Sequence, residues 1–390
     1  MNRRHFLTTT ALAASAIAAP DEKKWRVAVI GHTGHGDYGH GLDVMWLQMP
    51  ETEIVGVADA DAAGLEKART KLKGPPGFAD YRAMLAEVKP DIVAIGPRHV
   101  DEHRDIALAA IEAGARGIYS EKPFCRTLAE ADEIIAACER RGTKYAVAHR
   151  NRYHPVLATI DGLIESDTIG RVLEMRARGK EDQRGGALDL WVLGTHVLNL
   201  ANYFSGAPRA CSAVLLQDGK PATHADVVEG AEGVGPIAGN EVHARFETER
   251  GIPVFFESIA KAGNSGAGFG LQIIGTKGLI DLRTDREPMA HLVPGSPFQP
   301  GKDARPWIPI TTGGPGQPEP LGNGIKDVMN HVAAGRDLIS AIRENRAPLC
   351  SAADARVIIE CIAAIFESHR QEGRRVTLPL VSRDNPLAKL

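Results

Sequence analysis

Trp25-Arg26-Val27-Ala28-Val29-Ile30 runs straight into Gly31-His32-Thr33-Gly34-His35-Gly36-Asp37-Tyr38-Gly39-His40-Gly41, and this junction decides the fold. A short apolar run rich in β-branched residues and ending in glycines reads as a buried parallel strand that opens onto a loop. Gly34, Gly36 and Gly39 satisfy the G-x-G-x-x-G spacing of a dinucleotide-binding loop. A second frame starts at Gly31, puts Thr33 in place of the middle glycine and makes Gly36 the third. In either frame the missing side chains let the backbone turn tightly and present its amides to a pyrophosphate at the start of the following helix.

Working outward, residues 53–59 read as a second strand ending in Asp59, about twenty residues beyond the loop, where a carboxylate holds an adenosine ribose diol. A 2′-phosphate beside that carboxylate would be repelled, so NAD is expected over NADP. The competing reading makes Asp59 the cap of a helix starting near Ala62. Residues 91–97 give a third strand, 103–113 an amphipathic helix, and 117–120 a fourth strand that delivers Glu121-Lys122-Pro123. A capping-box pattern at 127–130 opens another helix, and 144–148 is a fifth strand. Such alternation implies a doubly wound parallel sheet over residues 24–150. Lys122 then stands at the carboxyl edge of the sheet, where folds of this kind bind ligands. Its alternative is a solvated surface lysine, but the preceding buried strand and Pro123 fix it at the edge.

At 390 residues the chain has room for two domains. A formal net charge of −3 offers no basic field for nucleic acid or anionic lipid, which leaves small soluble molecules as partners. The five cysteines are scattered without a C-x-x-C pair and read as buried thiols. His32, His35 and His40 lie in the glycine loop, but their spacings do not make a helical H-x-x-x-H, so no metal is expected. Residues 1–20 read as a twin-arginine signal peptide: Arg3-Arg4-His5-Phe6-Leu7, an apolar stretch from Leu12 to Ala19, and small residues suited to signal peptidase. The stretch is too short to span a bilayer comfortably, so the mature protein is expected in the periplasm with no membrane span. Export of folded protein makes sense for a chain that loads a cytoplasmic nucleotide first, which implies tight binding.

From about residue 151 the pattern changes to a helix followed by strands at 174–178, 211–216, 241–247, 253–259 and 271–281, the last with an internal turn. These predict an α+β domain over 151–330 built on one open, largely antiparallel sheet. A proline- and glycine-rich excursion covers 294–322, and helical periodicity returns at 325–345 and 352–371.

The chain after the signal resembles the Gfo/Idh/MocA oxidoreductases, the family of glucose-fructose oxidoreductase and inositol dehydrogenase. Glu121-Lys122-Pro123 is similar to that family's strand-ending motif, supported upstream by Pro97, His103 and Ala113-Gly114. Arg152-Tyr153-His154-Pro155 resembles its domain crossover, and Gly275-Thr276-Lys277-Gly278 a turn of its second sheet. The resemblance implies that Lys122 contacts nicotinamide and substrate, that Pro97, His103 and Glu121 lie on the cofactor side, and that a histidine from the second domain completes the site. It further implies that helices over 331–390 pack back on the first domain, and that the open sheet joins subunits in a homo-oligomer.

His196 is the candidate histidine, and here the sequence departs from the family. Aspartate is usual four residues before it and often three after; this chain has Val192 and Asn199. Asp189, seven residues before His196, falls on nearly the same helical face and is the candidate substitute. Its other reading is a charge at the helix amino terminus, and the other reading of His196 is a hydrogen-bonded core residue. By this resemblance a sugar or polyol hydroxyl would lose its proton to His196 while Lys122 stabilises the oxygen. Arg152, Tyr153, Lys180 and Asp182 are candidate contacts to other hydroxyls. Two alternatives stay open: a redox-neutral, NAD-dependent glycoside hydrolase, and a sugar-binding relative without catalysis.

Overall fold

The computed structural model describes residues 23–262, 267–284, 286–301 and 303–390. The expected signal peptide lies outside them. Six strands, β1 (Trp25–Ile30), β2 (Thr52–Ala58), β3 (Gly77–Phe78), β4 (Ile92–Ile95), β5 (Gly117–Ser120) and β6 (Lys144–Val147), form a sheet in the order β3-β2-β1-β4-β5-β6. All its ladders are parallel. The order reverses between β1 and β4, which opens a crevice at their carboxyl ends, the usual crossing point for a dinucleotide. The two-residue β3 is too short to leave a periodic signal in sequence.

Helices α1 (Ala62–Lys71), α2 (Tyr81–Val88), α3 (His103–Glu112) and α4 (Leu128–Arg141) connect the strands. Asp61 caps α1 by accepting the Gly64 amide at 2.6 Å, so the cap is not Asp59. Thr127 caps α4, and Gly142 ends it in the left-handed region at φ 72°. One expectation fails here. No α-helix follows the glycine loop; turns lead only to a 3₁₀ segment, Met45–Gln48. Five glycines between positions 31 and 41 depress helix propensity, and Pro50 closes the short remainder. Any pyrophosphate contacts must therefore come from loop amides without the dipole of a long helix.

The second domain carries one large, mostly antiparallel sheet in which Val172–Arg178 runs parallel to Val254–Ile259 and antiparallel to Gly270–Gly275. The expected strand over 271–281 is a hairpin of Gly270–Gly275 and Gly278–Arg283. Sequence reading missed Ala290–Pro294 and the small hairpin Val228–Gly230 with Gly235–Ile237. The helix Thr195–Ser205 packs on one face of this sheet, with the buried Phe256 ring against Gly194. Each side chain buried as fully as Phe256 contributes about 1.5–3 kcal/mol.

The helix expected over 325–345 is broken. Lys326–Met329 ends before Val332–Glu344 begins, with His331 between them at φ 63°. Val332–Glu344 packs beneath β5, where a Cβ on Gly117 would lie 2.7 Å from Ile342 Cδ1. Ala352–Arg370 touches both domains: Arg356 pairs with Asp132 of α4 at 2.6 Å, and Ser368 Oγ accepts the Ala213 amide at 2.8 Å. Among the described residues no helix is long and apolar enough to cross a membrane.

Candidate active site

The strand β5 ends at Ser120, and the chain then delivers Glu121 and Lys122 into the junction between domains. Lys122 is 5% exposed, and its Nζ donates to the carbonyl oxygen of Val192 at 2.9 Å. Val192 lies in a π-helical turn, Leu190–Gly194, of the kind often found at functional sites. That turn leads directly into the helix whose second residue is His196. Lys122 and His196 therefore line the same cleft, of about 220 Å³, together with His40, Glu121, Ala148, Arg150, Lys180, Arg184, Leu193, Phe269 and His331.

Desolvation sets the protonation states. Burial lowers the Lys122 ammonium below its ordinary value, with Glu121 and Glu232 opposing the shift. Burial and the positive charge of Lys122 hold His196 well below the usual imidazole range, so it is neutral at pH 7. Its Nδ1 is enclosed without a protein partner, and its ring lies edge-on to His149 (centroids 5.4 Å) and Phe269 (6.5 Å). Burial lowers His149 to about 3. His331 falls to about 4 for the same reason. Burial also raises the Tyr119 phenol, which fixes it as the donor to His331 Nδ1 at 2.6 Å and leaves His331 Nε2 with no protein partner.

Glu121 joins the two halves of the nucleotide crevice. Its Oε1 accepts both the His40 amide (2.8 Å) and His40 Nδ1 (2.6 Å), and its Oε2 accepts the Lys122 amide (3.0 Å). An ionised carboxylate only accepts, so His40 Nδ1 carries the proton. Burial alone would raise this carboxyl, but His40 and Lys122 outweigh it and hold it well below the usual range. Gly39, at φ 64°, is required at this point: a Cβ would stand 2.5 Å from Glu121 Oε1 and 2.7 Å from Gly96 O. Gly36 approaches equally closely, with a Cβ position 2.6 Å from the Arg98 amide.

Asp59 is 1% exposed at the end of β2. It accepts from the Thr33 amide (3.1 Å) and Thr33 Oγ1 (2.7 Å), so the glycine loop and the acid at its expected distance do meet. Gly34 points its Cα toward open space, and the Tyr38 ring covers Gly31. Tight glycines at the β1/β4 crevice, with a carboxylate at the end of β2, fit a dinucleotide with a free ribose diol. Two other residues expected at the cofactor, Pro97 and His103, also take part in a brace between loops. The ring of buried His103 lies between the carbonyls of Pro97 (2.7 Å) and Pro123 (2.8 Å), where its N–H donates to one of them, and so sits between the loops after β4 and β5.

Several expected site residues lie elsewhere. Asp189 Oδ2 accepts from Ser258 Oγ (2.5 Å) and the Glu181 amide (3.1 Å), and no hydrogen bond joins it to His196. The turn between them is π-helical, so the seven-residue spacing no longer keeps the two on one face, and Asp189 faces the sheet. Burial raises its carboxyl. Arg152 stacks over Tyr203 at 4.3 Å and stands 3.8 Å from Asp354, while Tyr153 is buried; neither lines the cleft. Asp182 is held by Arg184, and it is Arg184 and Lys180 that face the cleft. Sequence reading missed Arg150, Arg184, Phe269 and His331. Arg150 had a signal, since it follows β6 much as Lys122 follows β5; His331 had none, because its partner Tyr119 is distant in sequence.

No metal was expected, yet the fold brings His32, His35 and Glu102 together with ligand atoms all within 4.8 Å of one another.

A dinucleotide crevice set against a polar cleft roofed by a second, open-sheet domain fits a nicotinamide-dependent oxidoreductase. The chain belongs to the Gfo/Idh/MocA family: residues 25–149 match its NAD-binding Rossmann domain and residues 161–378 its C-terminal alpha/beta domain. It is 30% identical over 194 residues to a D-apiose dehydrogenase from Paraburkholderia graminis, a match that spans 47% of this chain and half of that protein. It is 24% identical over 366 residues to a trans-1,2-dihydrobenzene-1,2-diol dehydrogenase from Xenopus tropicalis, covering 90% of this chain and 97% of the other. The fold is shared with a levoglucosan dehydrogenase solved with NADH and levoglucosan, at TM-score 0.72 and 23% identity over 92% of this chain and all of that one.

Proposed function

We propose that the protein oxidises a secondary hydroxyl of a sugar or polyol, with NAD as acceptor. The observation that carries this reading is the convergence of Lys122, from the first domain, and His196, from the second, on one cleft beside the nucleotide crevice. The relatives named for D-apiose and levoglucosan support a carbohydrate substrate.

Bound NAD supplies the hydride acceptor. His196, neutral at working pH, accepts the hydroxyl proton. Lys122 offers an ammonium to the oxygen as negative charge develops there, in a setting where water does not screen it. Glu121 holds the Lys122 backbone and the glycine loop in fixed relation through His40. Lys180, Arg150, Arg184 and His331 supply donors along the cleft wall for the remaining hydroxyls. The test is incubation of the mature protein with a panel of pyranoses, pentoses and inositols while NAD absorbance is followed. Stoichiometric NADH with one of them supports the reading. Steady glycoside cleavage without net NADH favours redox-neutral hydrolysis, and binding without reduction favours a non-catalytic role.

The reading extends to cell location and assembly. The twin-arginine start, outside the described residues, supports periplasmic export with a tightly held nucleotide. Cell fractionation should find the mature chain in the periplasm, and an Arg3→Lys, Arg4→Lys variant should stay in the cytoplasm. The face of the large sheet with Arg176, Arg178, Glu257, Gln272 and Arg283, uncovered among the described residues, supports a homo-oligomer formed through it; light scattering of a monomer at working concentration would overturn that.

A further inference from the structure

Two imidazoles of the glycine loop turn their Nδ1 atoms toward one carboxylate. His32 Nδ1 lies 2.8 Å from both oxygens of Glu102, and His35 Nδ1 lies 3.1 Å from Oε1. The two rings stack with centroids 4.2 Å apart and planes 11° from parallel, so they present the same edge. Glu102 comes from a different segment, the 3₁₀ turn that leads into α3. A third imidazole, His99, stands behind His35 with ring centroids 4.6 Å apart.

We propose that His32, His35 and Glu102 form a binding site for a zinc-like divalent cation. Two ligands on a tetrahedral zinc, at bonds of about 2.05 Å, stand roughly 3.3 Å apart. The two histidine-to-carboxylate separations are already near that figure, and all three ligand atoms lie within 4.8 Å of one another, close enough for one ion to engage them after small side-chain adjustments. Imidazole donors favour zinc, cobalt or nickel over magnesium or calcium. Three protein ligands leave a fourth position for water or a phosphate oxygen. Side-chain exposures of 31%, 48% and 23% leave a path for an ion to enter.

The position gives the site a purpose. His32 and His35 belong to the loop after β1, and Glu102 to the segment after β4, the two strands that flank the dinucleotide crevice. An ion there would fasten the glycine loop on one side of the crevice to the start of α3. Because the loop lacks a following helix, the ion would also supply positive charge that a helix amino terminus provides elsewhere.

The experiment is titration of untagged, chelator-treated protein with Co²⁺, followed by its visible d–d absorption, and then displacement by Zn²⁺. The expected result is one tetrahedral-type site per chain, with affinity at least tenfold weaker in the double variant H32Q/H35Q and in Glu102→Gln. His224→Gln, which alters an exposed histidine elsewhere, should leave the band unchanged. Thermal unfolding of each variant confirms that it remains folded. No stoichiometric band in the parent protein, or a band that survives in H32Q/H35Q, overturns the site. In that case the carboxylate is simply held by two Nδ1–H donors. This readout is independent of turnover, so it stands or falls apart from the dehydrogenase reading.

Discussion

The ammonium of Lys122 donates to the backbone carbonyl of Val192 at 2.9 Å, which ties the end of β5 to the turn that carries His196. Position 192 is where the resemblance leads us to expect an aspartate. Here the lysine is engaged by the backbone carbonyl at that position, a contact that does not depend on which side chain stands there. An ammonium has three donors, which leaves two for a substrate oxygen and its neighbours.

Lys122→Met and His196→Ala should each lower turnover by about 10²–10⁴-fold, the usual worth of a general base or a charge-stabilising donor. NAD affinity should stay within a few-fold, since neither residue lies on the glycine loop. Steady-state NADH formation and nucleotide titration check both halves. Near-normal rates in both variants would refute the assignment.

Asp189→Ala should act on stability and not on chemistry. The carboxylate accepts from Ser258 and the Glu181 amide, and losing it strands both buried donors at a cost of about 1–3 kcal/mol. Urea unfolding should show that loss while kcat stays within a few-fold. A hundredfold drop in kcat with unchanged stability would return Asp189 to the catalytic group.

Gly39→Ala should weaken NAD binding. The added Cβ meets the Glu121 carboxylate and the Gly96 carbonyl at a left-handed φ, so the loop must shift away from the end of β4. Isothermal titration with NAD should show the loss, and unchanged affinity would mean that the dinucleotide does not depend on this contact.

Stability should fall on mild acidification. His149 and His331 are buried, with burial lowering them to about 3 and about 4, against about 6.5 in the unfolded chain. Below pH 6.5 the unfolded chain takes up protons that the folded chain refuses, so stability present above that pH is lost as pH falls toward 4. At pH 5 the loss is about 2 kcal/mol per histidine. Denaturant unfolding at pH 7 and pH 5 measures it, and His331→Gln should reduce the difference. A pH-independent result across that interval would contradict the assignment of neutral, buried rings.

Much of this was legible in the sequence where local pattern dictates structure. β1, its glycines and Asp59 follow from apolar runs and turn chemistry, and Lys122 follows from a strand stopped by Pro123. Other features depend on geometry that spacing does not carry. Asp189 and His196 share a face only on a regular α-helix, and the π-helical turn between them removes that condition. Five glycines ruled out a helix that the motif itself suggested. Arg184 reaches the cleft while its neighbour Asp182 does not, a difference set by how the chain leaves Val172–Arg178. His331 is recruited through a left-handed break in a stretch whose periodicity reads as unbroken.

The segment leading into Ala352–Arg370 completes the first sheet: the Val147 amide of β6 donates to Cys350 O at 3.0 Å, and Ala146 pairs with Ser351. The helix itself then grips α4 and the strand Pro208–Gln217 of the other sheet. The nucleotide half is consequently not a portable module. A fragment ending near residue 150 would expose the outer edge of β6 and a bare helix flank, and the two domains should melt cooperatively, as one unit.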